Sequence, residues 1–165
     1  MVSSPVLRQL RKSAVIGLTI SGWWAAPALA AGPMATGGLT SQPIGHYDFC
    51  KTHKSECSIR PANLAPATMT AALMRQLVSV TTAVNAAVKP MSDLEIYGKD
   101  EVWAYPDNGV GDCEDYVLEK RRRLNRLGMS LADLLITVVR KPDGEGHAVL
   151  TVRTDKGDYI LDNLT

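Results

Sequence analysis

Cys113 is the residue whose type and position most clearly suggest chemistry. A stretch containing Gly109 and Gly111 leads directly into it, and the apolar pattern that follows predicts a helix over residues 112–127. The unpaired backbone N–H groups and the dipole at a helix N-terminus favour a thiolate, which is the nucleophilic form of cysteine. Cys113 is therefore a candidate nucleophile. The alternative is a buried structural cysteine, which is common for this residue type.

His147 and Asp162 have the chemistry of a base and an orienting acid for such a nucleophile. His147 begins a predicted strand over residues 147–153, and Asp162 ends a predicted strand over residues 159–162. Cysteine at a helix start, with histidine and aspartate on adjacent strands, supplies a nucleophile, a base and an orienter. The alternative for His147 is an exposed histidine at a strand end.

The pairing register of the two strands decides whether His147 and Asp162 can meet. If Thr154 pairs with Gly157 across the turn, Asp162 falls opposite Val149, and His147 is its diagonal neighbour on the same face. A shift of one residue would put the two side chains on opposite faces. The expected contact therefore depends on this register.

The other two cysteines, Cys50 and Cys57, are separated by six residues. This spacing suits a small loop closed by a disulfide in an oxidising compartment. A metal site formed by Cys50, His53 and Cys57 is the alternative, although the usual C-x-x-C pair is missing. We expect the disulfide.

Acidic residues surround Cys113. Asp112, Glu114 and Asp115 are favourable at a helix N-terminus, which is a sufficient structural reason for their presence. Their negative charge would, however, raise the pKa of the Cys113 thiol and oppose thiolate formation. A bound cation would neutralise these charges and remove the conflict.

The remaining patterns predict the elements that must position these groups. Apolar residues at steps of three and four predict a helix over residues 67–88, and β-branched residues predict a strand over residues 134–140. Residues 91–111 are predicted to be irregular, and Arg121, Arg122 and Arg123 are expected to form a solvated surface. The order is two helices followed by an antiparallel sheet. It predicts an α+β fold with the helices packed on one side of the sheet.

Composition excludes several classes of function. The chain has 165 residues, of which 45% are hydrophobic, and its 18 basic residues nearly balance 17 acidic ones. A length and composition of this kind support one domain with a core, and exclude a disordered tail and a strongly cationic nucleic-acid binder.

The first 30 residues have the features of a secretory signal peptide. A basic start containing Arg8, Arg11 and Lys12 precedes an apolar stretch, and an A-x-A cleavage site ends at Ala30. An uncleaved membrane anchor is the alternative, but the apolar stretch is shorter than a spanning helix needs. Residues 31–165 would then form the exported domain, with net charge near −2, no membrane span and no nucleic-acid partner.

Three blocks of sequence resemble the bacterial transglutaminase-like cysteine proteinases of the LapG type. They are GDCEDYV at residues 111–117, GHAVL at residues 146–150 and ILDN at residues 160–163. The segment TSQPIGH at residues 40–46, the two cysteines that follow it, and the stretch from Trp103 to Cys113 are similar to the same family. The resemblance extends over about residues 37–163.

The resemblance implies a papain-like, transglutaminase-like core in a periplasmic endopeptidase. Cys113 matches the nucleophile, His147 the base and Asp162 the orienting acid of that family, and Asp112 and Glu114 match its calcium-binding positions. The resemblance therefore implies a bound Ca²⁺, which would neutralise the acids beside Cys113, although two side chains fall short of the usual six to eight oxygen ligands. In the best-known members the substrate is a large surface adhesin, and its cleavage releases biofilm attachment. No organic cofactor is implied.

The resemblance also suggests a role for Trp103, a regulatory partner and a difference in length from relatives. Trp103 is expected to line the substrate cleft or contribute to the oxyanion hole, with a plain packing role as the alternative. A regulatory receptor in the inner membrane would be a second protein partner. Two alternatives to an endopeptidase remain: a transglutaminase or amidase, which would use the same three residues, and a non-catalytic periplasmic binding module, which would keep only the fold. Relatives usually continue beyond the position of Thr165, so the domain is expected to be C-terminally short.

Overall fold

The computed structural model describes residues 32–34 and 38–164. The predicted signal peptide, residues 1–30, lies outside this range. Within the range, no helix has the length and apolar character that a membrane crossing requires.

The described chain contains five α-helices, one 3₁₀ turn and five strands. In chain order they are α1 (Ile44–Thr52), α2 (Lys54–Cys57), α3 (Ala71–Ala87), β1 (Lys89–Pro90), α4 (Asp93–Tyr97), β2 (Val110–Gly111), α5 (Cys113–Arg126), the 3₁₀ turn (Leu131–Asp133), β3 (Leu134–Arg140), β4 (Gly146–Thr154) and β5 (Gly157–Leu161).

Helix α3 confirms the predicted N-terminal core helix but begins later than predicted. The side chain of Thr70 accepts a hydrogen bond from the Leu73 N–H and so caps the helix. Ala67, which the prediction included, instead forms a bridge with Thr154 at the end of β4. The buried face of α3 consists of Leu77, Val80 and Val84, as the spacing predicts.

Helix α5 occupies the centre of the domain. It begins at Cys113 and ends before Gly128, whose φ of +96° is a left-handed conformation that favours glycine. The solvated surface predicted for the three arginines is wrong for Arg121. Its guanidinium is buried, donates from Nε to the Leu134 carbonyl at 3.2 Å, and forms an ion pair with Glu56 at 3.1 Å. Sequence spacing did not indicate these partners, because they come from remote segments.

Strands β3, β4 and β5 form one antiparallel sheet in that order. The pairing of β4 with β5 has the predicted register, with Thr154 opposite Gly157 and Leu150 opposite Leu161. The main core lies between this sheet and helices α3 and α5. Its most completely buried members come from α3, α5 and the sheet: Val84, Val117, Leu124, Leu134, Leu150 and Val152. The predicted α+β fold, with helices against one antiparallel sheet, is confirmed.

The N-terminal region is more regular than predicted. Cys50 lies in α1 and Cys57 ends α2, and the two are joined by a disulfide. The structure thus agrees with the disulfide and not with a metal site at Cys50, His53 and Cys57. This disulfide-linked pair of helices packs through Phe49 against Trp103 and Leu118 in a second hydrophobic cluster.

Residues 91–111 contain regular elements that the sequence did not predict. Helix α4 starts after Ser92, whose backbone N–H donates to the Glu95 carboxylate at 3.1 Å. Strands β1 and β2 pair in parallel and bring Pro90 beside Gly111, immediately before α5. Elements of two to five residues are too short for a periodic pattern to reveal them.

We predict that replacing Cys50 and Cys57 together by serine lowers the free energy of unfolding by about 2–3 kcal/mol, because the disulfide restricts the unfolded chain. Urea denaturation followed by circular dichroism would measure the change. Wild-type protein under reductant should unfold like the double variant, and reductant should leave the double variant unchanged. Equal stability of the oxidised wild type and the double variant would contradict the prediction.

Candidate active site

The structure places Cys113 at the first position of α5, on the wall of a cleft of about 740 Å³. Strand β2 delivers the chain to this point, as the glycine-rich lead-in suggested. His147, the second residue of β4, lines the same cleft. Cys113 is a free thiol and is partly exposed.

His147 and Asp162 form the contact that the register predicts. The Nε2 atom of His147 lies 2.8 Å from Oδ1 of Asp162. The same carboxylate oxygen accepts hydrogen bonds from the backbone N–H groups of Asn163 at 2.6 Å and Leu164 at 3.0 Å. Burial would raise the pKa of Asp162, but the hydrogen bonds from His147 and these N–H groups outweigh it and lower the pKa. Asp162 is therefore held as a carboxylate.

Cys113, His147 and Asp162 are the three types of group that thiol-dependent acyl transfer uses, and the first two line one cleft. Because Nε2 of His147 faces Asp162, Nδ1 is the ring nitrogen left for the thiol. Burial raises the pKa of the Cys113 thiol, and the backbone N–H of Ala148, the residue after His147, acts in the opposite direction.

A cluster of carboxylates lies beside the thiol. Asp112 and Glu114, which the sequence singles out, are joined by Asp93 from α4, and each offers an oxygen within 4.8 Å of the others. Asp93 was missed by the sequence analysis. It lies 19 residues before Asp112, at the start of an unpredicted helix, and only the β1–β2 pairing brings the two together.

These acids oppose ionisation of the thiol when no cation is present. Burial raises the pKa of Cys113 to about 12, and the charges of Glu114 and Asp112 add to the effect. The thiol itself donates a hydrogen bond to Oε2 of Glu114 at 3.1 Å. The helix N-terminus alone therefore does not produce a thiolate here.

The acids also oppose one another. Burial raises the pKa of Glu114 to about 8, with further contributions from its hydrogen bond to Asp112 and the Asp112 charge. Burial likewise raises the pKa of Asp115 to about 7, and the charges of Asp112 and Asp93 add to it. Oδ1 of Asp93 and Oδ1 of Asp112 are buried and have no hydrogen-bond partner. Buried oxygens without partners cost free energy unless something else binds them.

This donor set fits a hard divalent cation. Carboxylate oxygens are the ligands that Ca²⁺ prefers, and a positive charge here would satisfy the orphaned oxygens and remove the mutual repulsion. Asp115 has a different role, since its Oδ1 accepts the Ala104 N–H at 2.9 Å and so holds the preceding loop. The second candidate cluster, His46 with Cys50 and Cys57, is closed to metal because both sulfurs are in the disulfide.

Trp103 both packs and lines the cleft. Its indole is 7% exposed and lies so close to Gly45 that a Cβ there would be 2.3 Å from the ring. Nε1 faces Oε2 of Glu101 at 3.4 Å. Glu101 itself has a φ of +58°, a left-handed conformation that is strained for a glutamate. Trp103 thus forms a fixed wall of the cleft on the side of α4.

A thiol at a helix N-terminus, on the same cleft as an imidazole that is paired with a carboxylate, supplies the groups of a cysteine hydrolase. Residues 36–165 match the model of the bacterial transglutaminase-like cysteine proteinases. The chain belongs to this family and is a transglutaminase-like cysteine peptidase. The family model thus agrees with the sequence resemblance in fold and in class of enzyme.

Solved structures of LapG from Legionella pneumophila are also similar. A calcium-bound form is 24% identical with a TM-score of 0.49, and an EGTA-treated form is 26% identical with a TM-score of 0.49. A further LapG structure is 25% identical with a TM-score of 0.48. Each alignment covers 76% of this chain and about two thirds of LapG, 66–67%. A comparison with curated proteins gives no match.

We predict that Glu114→Gln stabilises the protein in the presence of a chelator, and increasingly so as the pH rises. The folded state holds the pKa of Glu114 at about 8, above the ordinary 4.5, so the unfolded state loses its proton first. The protonated Glu114 side chain contributes stability to the folded state. This contribution is fully present at low pH and is lost as the pH rises toward 8. Glutamine cannot ionise. The gain should reach roughly 2 kcal/mol near pH 8 and be small near pH 5.

Urea denaturation in EDTA at these two pH values would measure the difference. Glu145→Gln is the matched control, because Glu145 is an exposed glutamate on the same cleft. Its effect should be the same at both pH values. If the effect of Glu114→Gln on stability did not change with pH, the prediction that Glu114 becomes a buried carboxylate without a compensating charge would be wrong.

Proposed function

We propose that this protein is a periplasmic endopeptidase that cleaves a protein substrate through a triad of Cys113, His147 and Asp162. The observation that carries the proposal is the 2.8 Å contact between His147 Nε2 and Asp162 Oδ1, beside a free thiol on the same cleft. Family membership supports the peptidase activity.

The reaction is acyl transfer to a thiol followed by hydrolysis. Nδ1 of His147 removes the proton from the sulfur of Cys113, and the thiolate attacks the carbonyl carbon of the scissile peptide bond. The imidazolium then protonates the leaving amine, which leaves a thioester on Cys113. His147 next takes a proton from water, whose oxygen attacks the thioester and releases the new C-terminus. The thiolate regains its proton from the ring.

Asp162 and the backbone at the start of α5 assist these steps without forming a covalent bond to the substrate. The Asp162 carboxylate fixes the imidazole ring so that Nδ1 is directed to the thiol, and stabilises the imidazolium that forms. The backbone N–H of Cys113 is available at the helix N-terminus to stabilise the oxyanion. Trp103 provides the fixed wall against which the substrate lies.

Calcium is the cation that the carboxylate cluster fits, and Asp93, Asp112 and Glu114 would hold it. When bound, it would supply positive charge that lowers the cost of forming a thiolate at Cys113. The orphaned oxygens of Asp93 and Asp112 support this assignment.

An exported location and a surface substrate are part of the proposal. The basic start, apolar stretch and A-x-A site in residues 1–30 support export. The Cys50–Cys57 disulfide supports it independently, since disulfides persist in oxidising compartments. A protease in the periplasm has access to proteins anchored at the cell surface. A surface adhesin is therefore the substrate we propose, with an inner-membrane receptor as regulator.

We predict that Cys113→Ala and His147→Ala each abolish proteolysis while leaving a folded protein, and that Asp162→Asn lowers the rate by about 100-fold or more. Cells that carry either the wild type or a variant would be compared by the new protein N-termini that appear at the cell surface and in the medium. Circular dichroism would verify the fold. Wild-type levels of cleavage in Cys113→Ala would contradict the triad.

Iodoacetamide provides a test that needs no substrate. Cys50 and Cys57 are paired, so labelling reports Cys113 alone. Rapid alkylation near pH 7 in excess calcium, slowed by His147→Ala, is the expected result, because the histidine maintains the thiolate. An inert thiol under these conditions would contradict an activated nucleophile.

We predict that calcium raises the melting temperature of the wild type by about 5–10 °C, because it binds the folded state and satisfies the buried carboxylates. Asp93→Asn should lose most of this shift. Asp100→Asn, a change to an exposed acid on the same cleft, should keep it. Calorimetric titration would measure the affinity directly. An identical calcium shift in Asp93→Asn and the wild type would exclude Asp93 as a ligand.

A further inference from the structure

Asp162 lies just beyond the part of β5 that the sheet holds. The paired residues of β4 and β5 end with Leu150 opposite Leu161, and Asp162 is the next residue along the chain. The direction of its carboxylate therefore depends on what fixes the backbone at this strand end.

Two side chains from different helices hold consecutive carbonyl groups at this point. Nζ of Lys120, on α5, lies 3.5 Å from the carbonyl oxygen of Leu161. Nδ2 of Asn85, on α3, donates to the carbonyl oxygen of Asp162 at 3.0 Å. The two donors thus hold the peptide groups on either side of the Asp162 α-carbon.

Lys120 is an unusual residue to find in this position. It is completely buried, with 0% of its surface exposed, and the desolvation of a buried ammonium is costly. The Asp162 carboxylate attracts the ammonium group, and the centroid of the Tyr116 ring is 5.9 Å from Nζ. Burial lowers the pKa of Lys120 to about 8, so the ammonium form still predominates at neutral pH. An apolar residue of the same length would fill this space at lower cost.

Asn85 is similarly specific. Its side chain is partly buried at the C-terminal end of α3, and its Oδ1 is buried without a hydrogen-bond partner. A leucine or alanine would avoid that cost. Only the N–H group of this amide forms a hydrogen bond, and its acceptor is the backbone carbonyl of Asp162.

We propose that Lys120 and Asn85 are positioning residues, which hold the Leu161 and Asp162 carbonyls and so aim the Asp162 carboxylate at Nε2 of His147. This inference rests on the proposed triad. Neither residue touches the substrate. Lys120 adds a positive charge behind Asp162, which favours the carboxylate that the imidazolium needs.

The test compares Lys120→Met and Asn85→Ala with two matched controls in the full-length protein. Lys156→Met makes the same change at an exposed lysine in the turn at the other end of β5. Thr82→Ala removes a polar side chain from an exposed position of α3. Asn85 is only partly buried, so Asn85→Ala keeps the proposal testable if Lys120→Met does not fold.

Two measurements separate positioning from a structural role. The first is the rate of Cys113 alkylation by iodoacetamide near pH 7 in excess calcium. Misplacement of the imidazole should slow it by roughly 10- to 100-fold, whereas loosening of the fold would expose the half-buried thiol and speed the reaction. The second is the low-field proton NMR signal of the His147 Nε2–H, assigned by its loss in His147→Ala. This signal should shift or broaden in both variants and be unchanged in the controls.

The outcomes distinguish this inference from the proposed function. Slow alkylation and a perturbed ring signal in both variants, with normal controls, would support the positioning role. Wild-type values for both variants, or faster alkylation in both, would overturn it and leave the triad intact. An unactivated thiol in the wild type would overturn the triad, and this inference with it.

Discussion

The rest of the structure depends on the burial of a charged helix at the centre of a small domain. Helix α5 is enclosed along most of its length, although its sequence contains many ionised side chains. Each buried charge needs a partner, since desolvation without compensation costs several kcal/mol per ion. The partners come from every part of the domain: Glu56 on α2 for Arg121, the end of β5 for Lys120, and the Ala104 loop for Asp115.

The same constraint creates the site. At its N-terminal end, α5 presents the half-buried Cys113 thiol together with Glu114, and neighbouring carboxylates oppose the ionisation of both. The helix dipole does not overcome this environment, and the orphaned oxygens of Asp93 and Asp112 are where a cation would relieve it. A cation would stabilise the fold and permit ionisation of the nucleophile by the same charge. Stability and activity would then be coupled at one place.

Much of the fold was predictable because its longer elements have clear periodicity. Helices α3 and α5 and the three antiparallel strands follow from apolar spacing and turn residues, and the β4–β5 register follows from the turn between Thr154 and Gly157. The short elements, α4 and the β1–β2 pair, carry too few residues for such a signal. Asp93 was missed for that reason, and Arg121 was assigned to solvent because its partner Glu56 is 65 residues away.

The sequence by itself determined the types of chemical group and their order: a thiol at a helix start, then an imidazole and a carboxylate on neighbouring strands. These are local properties, since composition, periodicity and turn chemistry depend on adjacent residues. Only the tertiary structure decided that Asp93 joins the acids around the thiol, and that the Lys120 ammonium interacts with Asp162. Burial and charge pairing depend on segments far apart in the chain. They also raise the pKa of Cys113, whereas a helix N-terminus alone would lower it.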